Sequence, residues 1–351
     1  MSPMTSLQRV LTTLGHQEPD RVPFLLLATM HGARELGLSI EEYFGRAENL
    51  VEGQRRMRLK YQHDCLSNFF YASLEMEAWG GETVFREDGP PNSGRPIISR
   101  FADILELAPP RIQDSPGLLK VLEATRQLKS LAGDEVPVIG VAISPLSLPM
   151  MQMGFEKYLD LMHDRFDLFE RLMQINQAFC VEWANAQLAA GATAICYFDP
   201  VSSPTIIPKE LYLKTGFPIA RQTLAQIHGP AIIHLASGRA MPILDELAQT
   251  GTVAVGVSAL EDLAELKEVC RGKVSLLGNL NGVEMRRWTT EQTERVVKEA
   301  IAKAGPGGGY ILSDNHGEIP WQVPDEVLTT ISESVRRWGV YPLRWVTEDG
   351  G

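Results

Sequence analysis

Short runs of apolar and β-branched residues recur along the chain at 22–28, 65–71, 136–144, 192–199, 231–237, 253–259, 274–281 and 310–315. Runs of this length, bounded by glycine, proline and polar residues, predict strands. Between them the apolar spacing changes to the helical period, most clearly at 118–131, 155–190, 208–227, 241–249, 260–270, 290–304 and 324–338. Thr289-Thr-Glu-Gln-Thr reads as an N-cap followed by an acidic and polar first turn, and Gly305-Pro-Gly-Gly-Gly309 stops that helix. Strand and helix alternating about eight times predict an α/β fold, a (β/α)8 TIM barrel, in one domain over 1–351 with an N-terminal helical segment. No G-x-G-x-x-G follows an early strand, which weighs against a dinucleotide-binding sheet.

Two stretches break the rhythm. Gly80, Gly81, Gly89, Pro90, Pro91, Gly94 and Pro96 predict a loop or hairpin insertion around 79–98. The helical pattern at 155–190 is long enough for two helices meeting near 167–172, although no proline or glycine marks a break there.

Charge and cysteine usage narrow the function class. A net charge of −11 over 351 residues, with no basic tract to reverse it, disfavours nucleic acid and anionic membrane surfaces as partners. No apolar run reaches the roughly 18 residues of a membrane span, and the first residues lack a signal-peptide layout. A cytoplasmic protein that works on small molecules is expected. Cys65, Cys180, Cys196 and Cys270 are widely spaced and form no C-x-x-C pair, so they predict small core residues.

In a barrel, polar side chains at the carboxyl ends of strands converge on one mouth. Such ends are Asp199, His234, Asn279 with Asn281, and Asp314 with His316, joined by Ser73, Glu75 and Glu77 after the second strand. Phe69, Tyr197 and Trp321 adjoin these positions and suit a pocket for a flat apolar ring. Each has a plainer reading: a satisfied core histidine, a turn-capping Asp199 before Pro200, turn chemistry at Asn279, barrel packing for the rings. The remaining histidines, His16, His31, His63, His163 and His228, read as surface residues.

The chain resembles the uroporphyrinogen decarboxylase superfamily, which holds the decarboxylase and a branch of corrinoid-dependent methyltransferases. The resemblance runs through Glu18-Pro-Asp-Arg-Val-Pro23, Ser73-Leu-Glu-Met-Glu-Ala-Trp-Gly80, Phe85-Arg-Glu-Asp-Gly-Pro-Pro91, Ala190-Gly-Ala-Thr-Ala194, Phe198-Asp-Pro200, Gly278-Asn-Leu-Asn281 and Gly309-Tyr-Ile-Leu312 with His316-Gly and Pro320. It implies the same eight-stranded barrel. The decarboxylase pattern also implies an arginine-rich loop near the N-terminus; here Leu27-Ala-Thr-Met-His-Gly-Ala-Arg-Glu-Leu36 keeps only Arg34, too few guanidinium groups for a multi-carboxylate tetrapyrrole. Thiol-acting methyltransferases imply His-x-Cys and a later Cys as zinc ligands, where this chain has His234-Leu-Ala236 and His316.

The expectation is an enzyme that demethylates a small donor, a methoxylated aromatic first, and passes the methyl to the cobalt of a corrinoid carried by a partner protein. Catalysis is expected of His234, His316 and Asp199, and substrate binding of Tyr197, Phe69, Asn279, Trp321, Glu75 and Glu77. Zinc held by His234, His316 and Glu77 is an even alternative to direct acid catalysis. Decarboxylation of a tetrapyrrole or smaller acid, and a non-catalytic corrinoid-binding barrel, are the rival readings; homodimerisation is left open.

Overall fold

A computed structural model describes residues 3–348. Seven parallel strands, Leu66–Ser67, Val138–Ile143, Ala194–Phe198, Ala231–His234, Ala254–Gly256, Ser275–Leu280 and Tyr310–Asp314, form one curled sheet in chain order. Helices cross between them, among them Pro116–Ala132, Phe166–Ala189 and Thr290–Ala304. The register aligns every second residue: Ile143 beside Phe198, Phe198 beside His234, His234 beside Gly256, and Gly256 beside Leu277. Side chains of that parity share a face, and Leu25, Ile139, Ala194, Ile232, Ala254, Leu277 and Ile311 pack there as a cluster of their own.

The eighth expected strand is a correction. Residues 22–28 make only one parallel bridge, Phe24 to Leu312, and form no strand. Pro23 has no N–H to donate, so the segment makes scattered bonds instead. Leu25 N–H donates to Leu312 O (2.9 Å), Asp64 N–H to Phe24 O (2.8 Å), and Ile319 N–H to Leu27 O (2.8 Å). The strand expected at 65–71 shrinks to Leu66–Ser67, and the chain then turns into the short helix Leu74–Ala78.

The helix Ser6–Leu14 opens on a capping box between Thr5 and Gln8 and lays Leu7, Val10, Leu11 and Leu14 over the amino ends of the strands. That face meets Cys65, Pro137, Ala194 and Pro230 across a gap of only about 50 Å³, which closes one end of the interior. The long helical pattern divides into Phe155–Asp164 and Phe166–Ala189. The break falls at Arg165, upstream of the expected 167–172, where φ −137° and ψ 61° leave the helix and the guanidinium binds Asp167 (2.9 Å). In the 79–98 insertion, Thr83–Val84 pairs antiparallel with Asn92–Ser93. Among the described residues no helix is long and apolar enough to cross a membrane.

Two histidines expected at the surface are buried. His31 begins the helix His31–Leu36 beneath Trp321, and His63 follows the helix Ala47–Tyr61. Burial lowers both to a pKa of about 4, so they are neutral in the fold.

Candidate active site

The strand alternation that builds the core leaves a cavity of about 210 Å³ toward the carboxyl ends. Leu25, Leu27, Phe69, Ile139, Val141, Ile143, Ile232 and Leu277 give it an apolar wall, and its polar side chains are Ser67, His234, His316 and Glu318, with Cys196 as a weak donor. No lysine or arginine lines it. Cys196 is inert there, its thiol pushed up to about 12 by burial and then by Asp314.

His234 ends the Ala231–His234 strand on the inward parity and is fully buried. Its ring stacks on Phe198 at 5.7 Å and 21°. Gly256 makes room for it, because a Cβ there would lie 2.6 Å from His234 Cδ2. Ala236 curls back with φ +51°, and its N–H donates to His234 Nδ1 at 3.0 Å. A nitrogen that accepts that bond carries no proton, so in the neutral ring the proton sits on Nε2. Burial, and then His316, lowers the imidazole to about 4 and keeps it neutral. Nε2 has no hydrogen-bond partner among the described residues. The site therefore holds an unspent buried donor.

The turn after Tyr310–Asp314 supplies the wall beside it. Asp314 Oδ2 accepts from the N–H groups of His316 (2.8 Å) and Gly317 (3.0 Å), which fixes the turn. Gly317, at φ +89°, passes so close to Phe198 that a Cβ would sit 2.8 Å from its ring. His316 then reaches the exposed rim, with its pKa lowered by lost hydration, and Glu318 points into the cavity half-buried. The Thr29 hydroxyl donates to Glu318 Oε1. Burial, with Asp314 opposing ionisation, raises this carboxyl to about 7.

Other expected site residues fall elsewhere. Asp199 is buried outside the cavity lining, where Oδ1 accepts from the hydroxyls of Ser144 and Ser147 and Oδ2 from that of Ser202. Burial raises its pKa while those hydroxyls oppose the shift. A carboxylate so engaged ties loops together. Tyr197 has the same outward parity and is buried outside the cavity. Asn279 donates from Nδ2 to Ser258 O (2.8 Å) and Glu261 O (3.2 Å), and lines a separate open cleft beside Arg287 and Trp288. Trp321 packs on Arg34 at 4.1 Å and on His31 at 6.1 Å. Phe69 does line the cavity.

Glu77 accepts from the Tyr71 hydroxyl at 2.9 Å, outside the cavity lining, so the zinc set His234, His316 and Glu77 is not assembled. Among the described residues no three histidine, cysteine or carboxylate side chains are placed to hold a metal ion. Zinc needs at least three such donors, and with Nδ1 accepting from Ala236 N–H the neutral His234 carries its proton on Nε2, the nitrogen that would have to ligate. The donor set does not fit zinc.

Glu75 lines a void of about 20 Å³ behind the sheet beside Trp183, where its Oε1 accepts from Ile143 N–H at 3.0 Å. Burial raises its pKa from 4.5 to about 8. Folded Glu75 thus holds a proton that the unfolded chain releases between those values, so its contribution to stability is full below pH 4.5 and is lost as pH rises toward 8. Relative to Glu75→Gln, the native chain is expected to lose roughly 1 kcal/mol more stability per pH unit across that window. Parallel slopes in urea unfolding at pH 5.5, 6.5 and 7.5 would contradict a protonated Glu75.

The model of the family described as uroporphyrinogen decarboxylase (URO-D) matches residues 5–338. The chain belongs to that family. Its relatives include uroporphyrinogen decarboxylase of Cupriavidus necator, 29% identical across 94% of this chain and 96% of that one. They also include the methylcobamide:CoM methyltransferase MtaA of Methanosarcina barkeri, 27% identical over 46% of this chain and 48% of that one. Among solved structures, a methyltransferase from Methanosarcina mazei superposes with a TM-score of 0.84 at 20% identity, covering 95% of this chain and 99% of the other. That likeness establishes the fold. Arg34, the arginine that residues 27–36 retain, has a structural role: its guanidinium donates to Val323 O (3.1 Å) and Trp321 O and stacks on the Trp321 ring. It braces the loop that carries Glu318.

Sequence reasoning passed over Glu318 and Thr29. Glu318 lies in the stretch His316-Gly-Glu318, and a carboxylate two residues from a strand-end histidine was the available signal. Thr29 had none, because it meets Glu318 across 289 residues of chain.

Proposed function

We propose that this chain is a methyltransferase that takes the methyl group of a small uncharged donor, foremost a methoxylated aromatic compound, and passes it to a corrinoid carried by a separate protein. The observation that carries the reading is the cavity itself: apolar, about 210 Å³, without a lysine or arginine, and with one buried imidazole N–H facing inward. A cavity on the order of 150 Å³ accommodates a benzene ring. A tetrapyrrole bearing several carboxylates would find neither the room nor the guanidinium groups it needs.

The corrinoid, when its protein docks, supplies the cobalt nucleophile that takes the methyl group. The remaining requirements fall on this chain. Its apolar wall excludes water and orients the ring. His234 Nε2–H donates to the ether oxygen, which keeps the electron pair of the broken carbon–oxygen bond and needs a hydrogen bond as it does so.

The test is transfer of methyl from a panel of aryl methyl ethers, amines and thioethers to reduced cobalamin or a reduced corrinoid protein. The decarboxylase names of the full-length relatives set the competing outcome: carbon dioxide released from a carboxylated substrate without corrinoid, with no methyl transfer, would overturn the proposal.

A further inference from the structure

The cavity wall carries two polar groups of opposite sense. One is His234 Nε2–H, fully buried, without a partner, and held as a donor because Ala236 N–H occupies Nδ1. The other is the Glu318 carboxyl, whose Oε1 is held by the Thr29 hydroxyl, and which projects into the same space from the turn that Asp314 fixes. The backbone link between them is short: a Cβ on Gly317, next to Glu318, would lie 3.5 Å from His234 Cε1. Ser67 Oγ already accepts from Phe69 N–H at 3.2 Å, and His316 sits at the exposed rim.

A purely apolar ligand would desolvate His234 Nε2–H and the Glu318 oxygen that Thr29 does not hold without giving either a partner, which a buried site penalises more than it rewards the apolar contact. A ligand that satisfies both must present an acceptor to His234 and a donor to Glu318 across an apolar body. We infer that the site selects aryl methyl ethers bearing a free ring hydroxyl, with the ether oxygen on His234 Nε2–H and the hydroxyl donating to the Glu318 carboxyl. A carboxyl accepts such a bond through an unprotonated oxygen whether or not its other oxygen holds a proton. Thr29 is a positioning residue, orienting Glu318 without touching the ligand. This specificity rests on the methyl-transfer reading for its choice of an ether, and it is tested without any transfer step.

Isothermal titration calorimetry on the full chain, with no corrinoid present, compares four probes: methoxyphenol isomers, dimethoxybenzene, methoxybenzene and ethylbenzene. The best methoxyphenol is expected to bind at least about tenfold more tightly than dimethoxybenzene or methoxybenzene, and methoxybenzene about tenfold more tightly than ethylbenzene. Glu318→Leu should erase the first ratio and leave the second; His234→Phe should erase the second. Equal affinities of methoxyphenol and dimethoxybenzene for the native chain would overturn the inference, and that comparison needs no variant to fold. So would a hydroxyl preference that survives in Glu318→Leu. Discrimination without methyl transfer to reduced corrinoid would sink the proposed activity alone, whereas methyl transfer without discrimination would sink this specificity alone.

Discussion

Asp64→Asn is expected to destabilise the fold by about 3–5 kcal/mol, because it strips the shared partner from buried cations. Asp64 is fully buried. Its carboxylate accepts from Arg9 (2.7 Å), twice from Arg21 (2.8 and 2.9 Å), from the Ser6 hydroxyl (3.0 Å) and from Phe24 N–H (3.0 Å). Arg9 keeps a second acid, Asp20 at 2.6 Å, but Arg21 pairs with Asp64 alone among the described residues. Asparagine is nearly isosteric, so the loss measures charge and acceptor strength rather than a cavity. The site would suffer too, since Phe24 begins the segment that carries Leu25 and Leu27 into the cavity wall. Guanidinium unfolding at neutral pH checks the expectation, and a loss below about 1 kcal/mol would show that water replaces the carboxylate without cost.

His234→Phe is expected to cut methyl transfer by about 10²–10³-fold, the usual cost of removing one preorganised donor from developing negative charge. Phenylalanine preserves the stack on Phe198 and the fit against Gly256, so the change deletes the Nε2–H, together with the Nδ1 acceptor of Ala236 N–H, while keeping the ring's packing. The loss should fall mainly on kcat, because the bond strengthens as the oxygen gains charge. The pH profile separates this role from one that needs an imidazolium. With its pKa lowered to about 4, His234 stays neutral at every pH above that value, so it contributes no inflection between pH 5 and 8. If transfer required the protonated ring, activity would rise as pH falls through 6 toward 4. Single-turnover rates with reduced corrinoid distinguish the two.

The histidines of the site are legible in the sequence. His234 and His316 stood out as polar residues ending apolar runs, and both do line the cavity. Asp199 and Tyr197 stood out for the same reason and do not. The difference is parity. Cys196 and Phe198 face the cavity, so Tyr197 and Asp199 face the helices, where three serine hydroxyls receive the carboxylate. A strand covered on both sides is apolar at odd and even positions alike, and such a run does not declare which parity points inward.

Glu77 shows a second limit: its acceptor role toward Tyr71 depends on the chain turning into Leu74–Ala78, which ends the strand early. Residues 22–28 show a third, since Pro23 is visible in the sequence but its effect depends on which neighbours need an N–H at that point.

What the sequence by itself determined is the order of short apolar runs and helical patterns, the absence of a guanidinium cluster in residues 27–36, and an alanine at 236 and a histidine at 316, neither of which carries sulfur. These are properties of residue type and local period, and no fold can supply an arginine or a sulfur that the chain lacks. Only the tertiary structure decided that seven of the runs pair as strands, that Ala236 N–H locks His234 as a donor, and that Thr29 meets Glu318 across 289 residues of chain. Inward parity, tautomer and cross-chain contact are set by neighbours distant in sequence, and burial then assigns each polar group its charge.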